Sequence, residues 1–195
     1  MKRISPALAL LFAVWLMLPV SAQPTIHQNL SSVHIPKFAR VNDHYYRGGQ
    51  PHDGDFMALA HLGIKTVINL VRDFDPNEKA EVEKSGMKYV GIPMTTHQPP
   101  TAAEVAQFLQ IVNDPKNQPV YVHCSEGIHR TGLMTAVYRM TQEAWTADQA
   151  YQEMKYFGYG FDFLHPEFKS FVYDYYNHLR NTHTSVSVTN HKRGF

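Results

Sequence analysis

Cys124 is the single cysteine of the chain, and Arg130 follows it across five residues, Ser125-Glu126-Gly127-Ile128-His129. Five intervening residues let a loop curl into a cup whose backbone N–H groups point inward. With a helix N-terminus beneath it, such a nest is an anion site suited to phosphate. Gly127 supplies the positive φ that a tight loop of this kind tends to need, and Gly132 lets the following helix pack closely. The same field of N–H dipoles and a neighbouring cation favours the thiolate of Cys124 over the thiol, which makes it a nucleophile at neutral pH. Arg130 presents a planar fork of donors that holds two phosphate oxygens and follows them into a transition state. Thr131 is expected to donate its hydroxyl to the sulfur and make it a better leaving group in a second step. His123 points away from Cys124 by strand alternation, so it braces the loop rather than reacting. His129 is a loop residue that tunes substrate choice.

A strand must deliver this loop and a helix must receive it. Gln118-Pro119 leads into a strand at Val120 to His123, and a helix runs from about Thr131 to Glu143. Upstream, His44 to Arg47 reads as a short strand closed by the turn cluster Gly48-Gly49-Gln50-Pro51. Asp53 or Asp55 caps a helix reaching Leu62 and stopped by Gly63. Ile64 to Val71 reads as a buried strand, Pro76 to Ser85 as a charged helix, and Lys88 to Pro93 as a further strand. Thr101 with Glu104, and Thr146 with Gln149, form capping boxes for helices reaching about Asn113 and Phe157. A last helix from Pro166 to about Leu179 spaces Phe168, Phe171, Val172, Tyr175, Tyr176 and Leu179 as a core-packing stripe. From Asn181 the chain turns polar and is expected to fray. Strands alternating with helices predict an α/β domain with a central, mostly parallel, four- to five-stranded sheet flanked by helices.

The chain has 195 residues, with apolar types at 44% and charged types at 18%, a composition that builds a globular core and excludes a disordered or collagen-like chain. Eighteen basic against seventeen acidic residues leave no surplus of positive charge for a nucleic-acid binder. One cysteine excludes an internal disulfide and a cysteine-based zinc site. The ten histidines outside the loop show no spacing of metal ligands, so no metal or other cofactor is implied. Lys2 and Arg3, the apolar run Ala7 to Val20 and the small residues Val20-Ser21-Ala22 form a secretory signal with cleavage expected after Ala22. The run falls short of the ~20 residues that span a bilayer and contains Pro19, which favours cleavage over a stable membrane anchor. The expected organisation is a signal peptide at 1–22, an N-terminal lead at 23–43, a catalytic domain at 44–182 and a polar tail at 183–195, with the mature protein periplasmic or secreted.

The segment His-Cys-x5-Arg-Thr-Gly resembles the signature of cysteine-dependent protein tyrosine phosphatases. Tyr46-Arg47-Gly48-Gly49-Gln50-Pro51 is similar to a Tyr-Arg-Ser-x-x-Pro segment of the atypical dual-specificity members. Gly63 to Leu70 looks like their next strand, and Trp145 to Phe161 like the helix after the phosphate loop. The exported form is similar to periplasmic bacterial tyrosine phosphatases, and Gly127 to Gly132 also resembles relatives that hydrolyse inositol pyrophosphates. The resemblance implies a dual-specificity-type fold. It further implies Cys124 as nucleophile, the backbone of Ser125, Glu126, Gly127, Ile128, His129 and Arg130 as phosphate cradle, and Arg130 as transition-state clamp. The substrate would be a phosphorylated protein or a small phosphorylated molecule, with phosphotyrosine or dual specificity expected.

One departure from the family stands out. Its general acid is an Asp on the loop after the strand at Lys88 to Pro93, where this chain has Thr96. His97, Asp73 and Asp75 are the alternative proton donors, the two aspartates also being turn and helix-cap residues before Pro76. A phosphate- or phosphoprotein-binding module without turnover, and a phosphoanhydride phosphatase, are the competing functions.

Overall fold

The computed structural model describes residues 33–52, 54–73, 75–160 and 166–191, with the side chains of its last helix described to 182. The signal segment, most of the lead and Asp53 lie outside the described residues. Among those described, no helix is long and apolar enough to cross a membrane.

The elements run β1 (Ala39–Asn42), β2 (Tyr45–Gly48), α1 (Asp55–His61), β3 (Thr66–Val71), α2 (Pro76–Lys84), β4 (Lys88–Met94), α3 (Ala102–Asn113), β5 (Val120–His123), α4 (His129–Gln142), α5 (Ala147–Tyr156) and α6 (Pro166–His191). They build one five-stranded sheet in the order β1-β2-β5-β3-β4. β5 is parallel to both β2 and β3, and β3 is parallel to β4, while β1 closes an edge antiparallel to β2. The last strand in sequence therefore lies at the centre of the sheet, and the loop after it opens at the carboxyl ends of the strands, where open α/β sheets bind ligands.

Strand alternation sorts the core into two faces. Tyr45, Ile68, Leu70, Val120, Val122 and Cys124 face Phe108 of α3 and Met134 and Tyr138 of α4. Tyr46, Val67 and Tyr121 face Phe56 and Leu59 of α1 and Val82 of α2. A third cluster forms where α4 packs on α5 and α6 through Leu133, Met154, Phe168 and Val172, with Phe171, Tyr175, Tyr176 and Leu179 of the aromatic stripe half-buried against it. α4 is thus enclosed by the sheet on one side and helices on the other, and its residues 130 to 138 are all buried. Each fully buried aliphatic or aromatic side chain contributes about 1.5–3 kcal/mol, so the helix carrying the loop is held by many such contacts.

Both capping boxes form, Thr101 with Glu104 and Thr146 with Gln149. Asp75 caps α2 by accepting from the Asn77 N–H at 2.8 Å. Several expectations are corrected. A strand, β1, lies in the segment read as a polar lead; its four residues Ala39-Arg40-Val41-Asn42 alternate apolar with polar, but over too short a run to stand out from the lead. Asp55 is the first residue of α1 rather than its cap, since Gly54 occupies the N-cap without a side-chain bond. α4 begins at His129, two residues earlier than read, because the loop turns directly into the helix. α6 continues to His191 instead of fraying near Asn181, a polar extension with no breaker residue to stop it.

Candidate active site

β5 ends at His123 and places Cys124 at the mouth of the sheet, with only 2% of the residue exposed. Ser125 and Glu126 rise into solvent, Gly127 is buried, and Ile128 begins the turn into α4. No side chain caps α4, so the first N–H groups of the helix are left for an anion. A cavity of about 320 Å³ opens over this loop, lined by Thr96, Cys124, Ser125, Glu126, His129 and Arg130.

The cup is fixed from below by the turn after β2. Gly127 has φ +73°, and a Cβ there would fall 2.5 Å from the Gly48 carbonyl carbon, so only glycine fits. Gln50 N–H donates to Ser125 O at 3.0 Å, and the Tyr121 hydroxyl donates to Gly49 O at 2.6 Å. Beneath the loop lies Arg47, which is fully buried and donates from Nη2 to Gly127 O at 2.5 Å. Its guanidinium lies 3.8 Å from the centre of the Phe157 ring. Burial lowers the pKa of Arg47, opposed by the neighbouring acidic groups of Tyr45, Glu153, Cys124 and Tyr121.

Arg130 is 7% exposed and oriented by the ends of two strands. Its Nη1 donates to Leu70 O of β3 at 3.5 Å and to Met94 O of β4 at 3.3 Å, and Nη2 donates to Ser125 Oγ at 3.2 Å. These bonds aim the guanidinium edge into the cavity that Cys124 lines.

Two roles read from the sequence change. Thr131 is fully buried, and its hydroxyl donates to Gly48 O at 3.3 Å rather than to the sulfur. It therefore ties α4 to the end of β2. His123 points to the opposite face from Cys124, as expected, but its partner is α2 and not the loop. Its Nε2 lies 2.8 Å from Glu78 Oε1, an ion-pair separation off the line of a regular hydrogen bond. Glu78 Oε2 accepts from Asn69 Nδ2 at 2.6 Å, and the His123 ring stacks on Tyr121 at 5.6 Å. Burial, with the Glu78 carboxylate second, pushes the nearby Tyr89 phenol up to about 12. A buried Asn69–Glu78–His123 cluster thus locks α2 to the two central strands.

The proton-donor candidates separate in space. Thr96 is half-buried and lines the cavity of Cys124, at the position where the family resemblance leads one to expect an acid. His97 and Asp73 are exposed and line an adjoining depression of about 380 Å³ that shares Arg130, Ser125 and Thr96. Asp75 caps α2 and lines a third depression of about 370 Å³ with Asp73, Glu78 and Glu81. Glu126 is the carboxylate that lines the Cys124 cavity itself. His129 stands beside it, its ring edge-on to Tyr159 at 5.7 Å. Among the described residues no group of three or more His, Cys, Asp or Glu side chains is placed to hold a metal ion.

Sequence reasoning missed Arg47, Asn69 and Glu78. Arg47 lay inside the segment that resembles the phosphatases, which was its available signal. Glu78 sits on a helix of solvated charge and carried none.

A family model described as a DSP-PTPase phosphatase fused to NAD+ kinase matches residues 28–167. A probable tyrosine-protein phosphatase of Dictyostelium discoideum is 33% identical over 132 residues, covering 64% of this chain and 78% of that protein. An inositol diphosphatase of Oryza sativa is 30% identical over 125 residues, covering 62% of this chain and 61% of that protein. The crystal structure of the Pseudomonas aeruginosa dual specificity phosphatase TpbA superposes with a TM-score of 0.61 at 25% identity, covering 70% of this chain and 83% of that one. The chain spans between about half and four-fifths of the length of the curated relatives it matches.

Proposed function

The chain belongs to the dual-specificity-type phosphatase family, DSP-PTPase, and from that premise we propose that it hydrolyses aryl phosphate monoesters, phosphotyrosine in proteins above all, through Cys124. The observation that carries this is the shared cavity of Cys124 and Arg130, set over an uncapped helix N-terminus. The sulfur of Cys124 attacks phosphorus; the S–P bond forms as the P–O bond to the leaving group breaks. The N–H groups of the loop and the Arg130 fork hold the three non-bridging oxygens through both states. Water then attacks the phosphocysteine, the S–P bond breaks, and inorganic phosphate leaves with the sulfur restored as thiolate.

Charge around the cup favours phosphotyrosine over an inositol pyrophosphate. The three depressions that meet at Ser125 present Arg130 and Arg72 as strong cations against the exposed carboxylates of Glu126, Asp73, Asp75 and Glu81. A single phosphate on a neutral ring satisfies Arg130 and leaves those carboxylates in water. A polyphosphorylated ring would set its flanking phosphates against them, a like-charge arrangement that discriminates strongly against a ligand. Thr96 in place of an acid adds a preference for leaving groups that depart without a proton, which phenolates do better than alkoxides. Export by residues 1–22 is part of the same proposal and rests on their sequence pattern.

The test is a substrate panel: a phosphotyrosine peptide, its phosphoserine counterpart, an aryl phosphate and an inositol pyrophosphate. The expected order places phosphotyrosine and aryl phosphate first and the inositol pyrophosphate last. An inositol pyrophosphate with the highest kcat/KM would replace the proposal with the phosphoanhydride function.

A further inference from the structure

Arg47 is a guanidinium without exposure in the interior of a small domain. Nη2 donates to Gly127 O, and one face rests on Phe157. Nε and Nη1 have no hydrogen-bond partner among the described residues. No described carboxylate lies within ion-pair distance of it; Glu153, which acts on it from α5, is engaged with Arg139 at 2.6 Å. A guanidinium does not give up its proton in a protein, and a buried cation left uncompensated is costly. A negative charge must therefore be available close by.

The acidic groups that act most strongly on Arg47 are Tyr45 of β2, Glu153 of α5, and Cys124 and Tyr121 at β5. Burial drives the phenols of Tyr45 and Tyr121 well above the ordinary tyrosine range, so both stay neutral. Glu153 already serves Arg139. Cys124 is the remaining group, and the register places it two residues beyond Val122, the β5 partner of Arg47. On the loop itself the other charged and titratable groups are Glu126, which is exposed, His129, and Arg130 above the cup. His123 faces away toward Glu78.

We propose that Arg47 is a positioning residue that, from beneath the loop, holds the sulfur of Cys124 in its anionic, nucleophilic form and fixes the Gly127 carbonyl so that the loop N–H groups face the phosphate. This rests on Cys124 being the nucleophile. Arg130 clamps the substrate from above, and Arg47 supplies the fixed charge below, out of reach of solvent and substrate. The charge acts through a poorly screened interior, which makes it effective at a distance that would be screened at the surface.

The experiment is the pH dependence of Cys124 alkylation by iodoacetamide, a neutral reagent, read by intact mass in wild type, Arg47→Gln and Arg47→Lys, with circular dichroism to establish folding. Arg47→Gln is expected to slow alkylation at pH 6 about tenfold and move the profile to higher pH, the effect of one interior charge. Arg47→Lys retains the charge and is expected to remain near the wild-type profile while losing the Gly127 bond and some turnover. A folded Arg47→Gln with the wild-type profile overturns the proposal, and so does an Arg47→Lys shifted as far as Arg47→Gln, since that assigns the effect to shape. If Arg47→Gln does not fold, Phe157→Ala decides: it hydrates the guanidinium and should slow alkylation at pH 6, and an unchanged rate overturns the proposal. Failure of the nucleophile assignment would show separately, as full phosphatase turnover in Cys124→Ser.

Discussion

Substituting Gly127 by alanine alters the cup by one atom, and the structure sets the size of the effect. At φ +73° the added Cβ would lie 2.5 Å from the Gly48 carbonyl carbon, 2.6 Å from the Gly49 nitrogen and 2.7 Å from the Gly48 oxygen. All three belong to backbone leaving β2, so no side-chain rotation relieves them. Carbon contacts settle near 3.5–4 Å, which requires the loop to retreat by about 1 Å. The left-handed conformation adds about 1–2 kcal/mol for a residue with a Cβ. A displacement of about 1 Å at a reacting centre costs on the order of 10²-fold, so kcat/KM for an aryl phosphate should fall by that factor. Gly86 supplies the control. It has φ +81° and open space around its Cβ position, so Gly86→Ala carries the conformational strain without the collision. That variant should lose about 1–2 kcal/mol of stability and keep its turnover. Steady-state kinetics with thermal unfolding on both variants separates the two effects. A folded Gly127→Ala that retains wild-type kcat/KM would refute the claim that contact with β2 sets the shape of the cup.

Thr96→Asp puts a carboxyl in the cavity of Cys124, and should raise phosphoserine turnover by up to about 10²-fold while changing aryl phosphate turnover little; equal changes for both substrates would show that no proton is being supplied there. Glu126→Lys reverses a charge lining the same cavity, and should lower KM for polyanionic inositol pyrophosphates relative to phosphotyrosine peptide. An unaltered ratio would remove Glu126 from substrate selection. Burial raises the Tyr45 phenol, so below pH about 10 both folded and unfolded chains hold its proton and the stability is intact. Above that the unfolded chain loses the proton first and stability falls with pH. Tyr45→Phe should therefore make the alkaline decline shallower, by up to about 1.4 kcal/mol per pH unit, in urea titrations between pH 10 and 11.

The parts of the fold that were legible in the sequence are those with strong local signals. Val120 to His123 combines two valines with an aromatic tyrosine and is preceded by Pro119, and both capping boxes announce their helices through side chains that satisfy their own backbone. β1 was not legible because its alternation spans only four residues, too few to mark a strand, and its pairing with β2 is a tertiary fact. The site divides the same way. Cys124, Gly127 and Arg130 lie within one short segment, so their chemistry is read from spacing. Arg47, Asn69 and Glu78 join the site only because β2 and β3 flank β5 and α2 packs on that face. Thr131 illustrates the limit: its hydroxyl could be assigned to the sulfur from sequence order alone, but the end of β2 brings the Gly48 carbonyl within its reach.

The central claim is that the sulfur of Cys124 takes the phosphoryl group from substrate. Rapid acid quenching during turnover of an aryl phosphate, followed by peptide mass analysis, tests it most directly. The account predicts one phosphoryl group on the peptide that contains Cys124, and its disappearance, together with turnover, in Cys124→Ser. Turnover that persists in Cys124→Ser, or a phosphoryl group captured on a different residue, would contradict it.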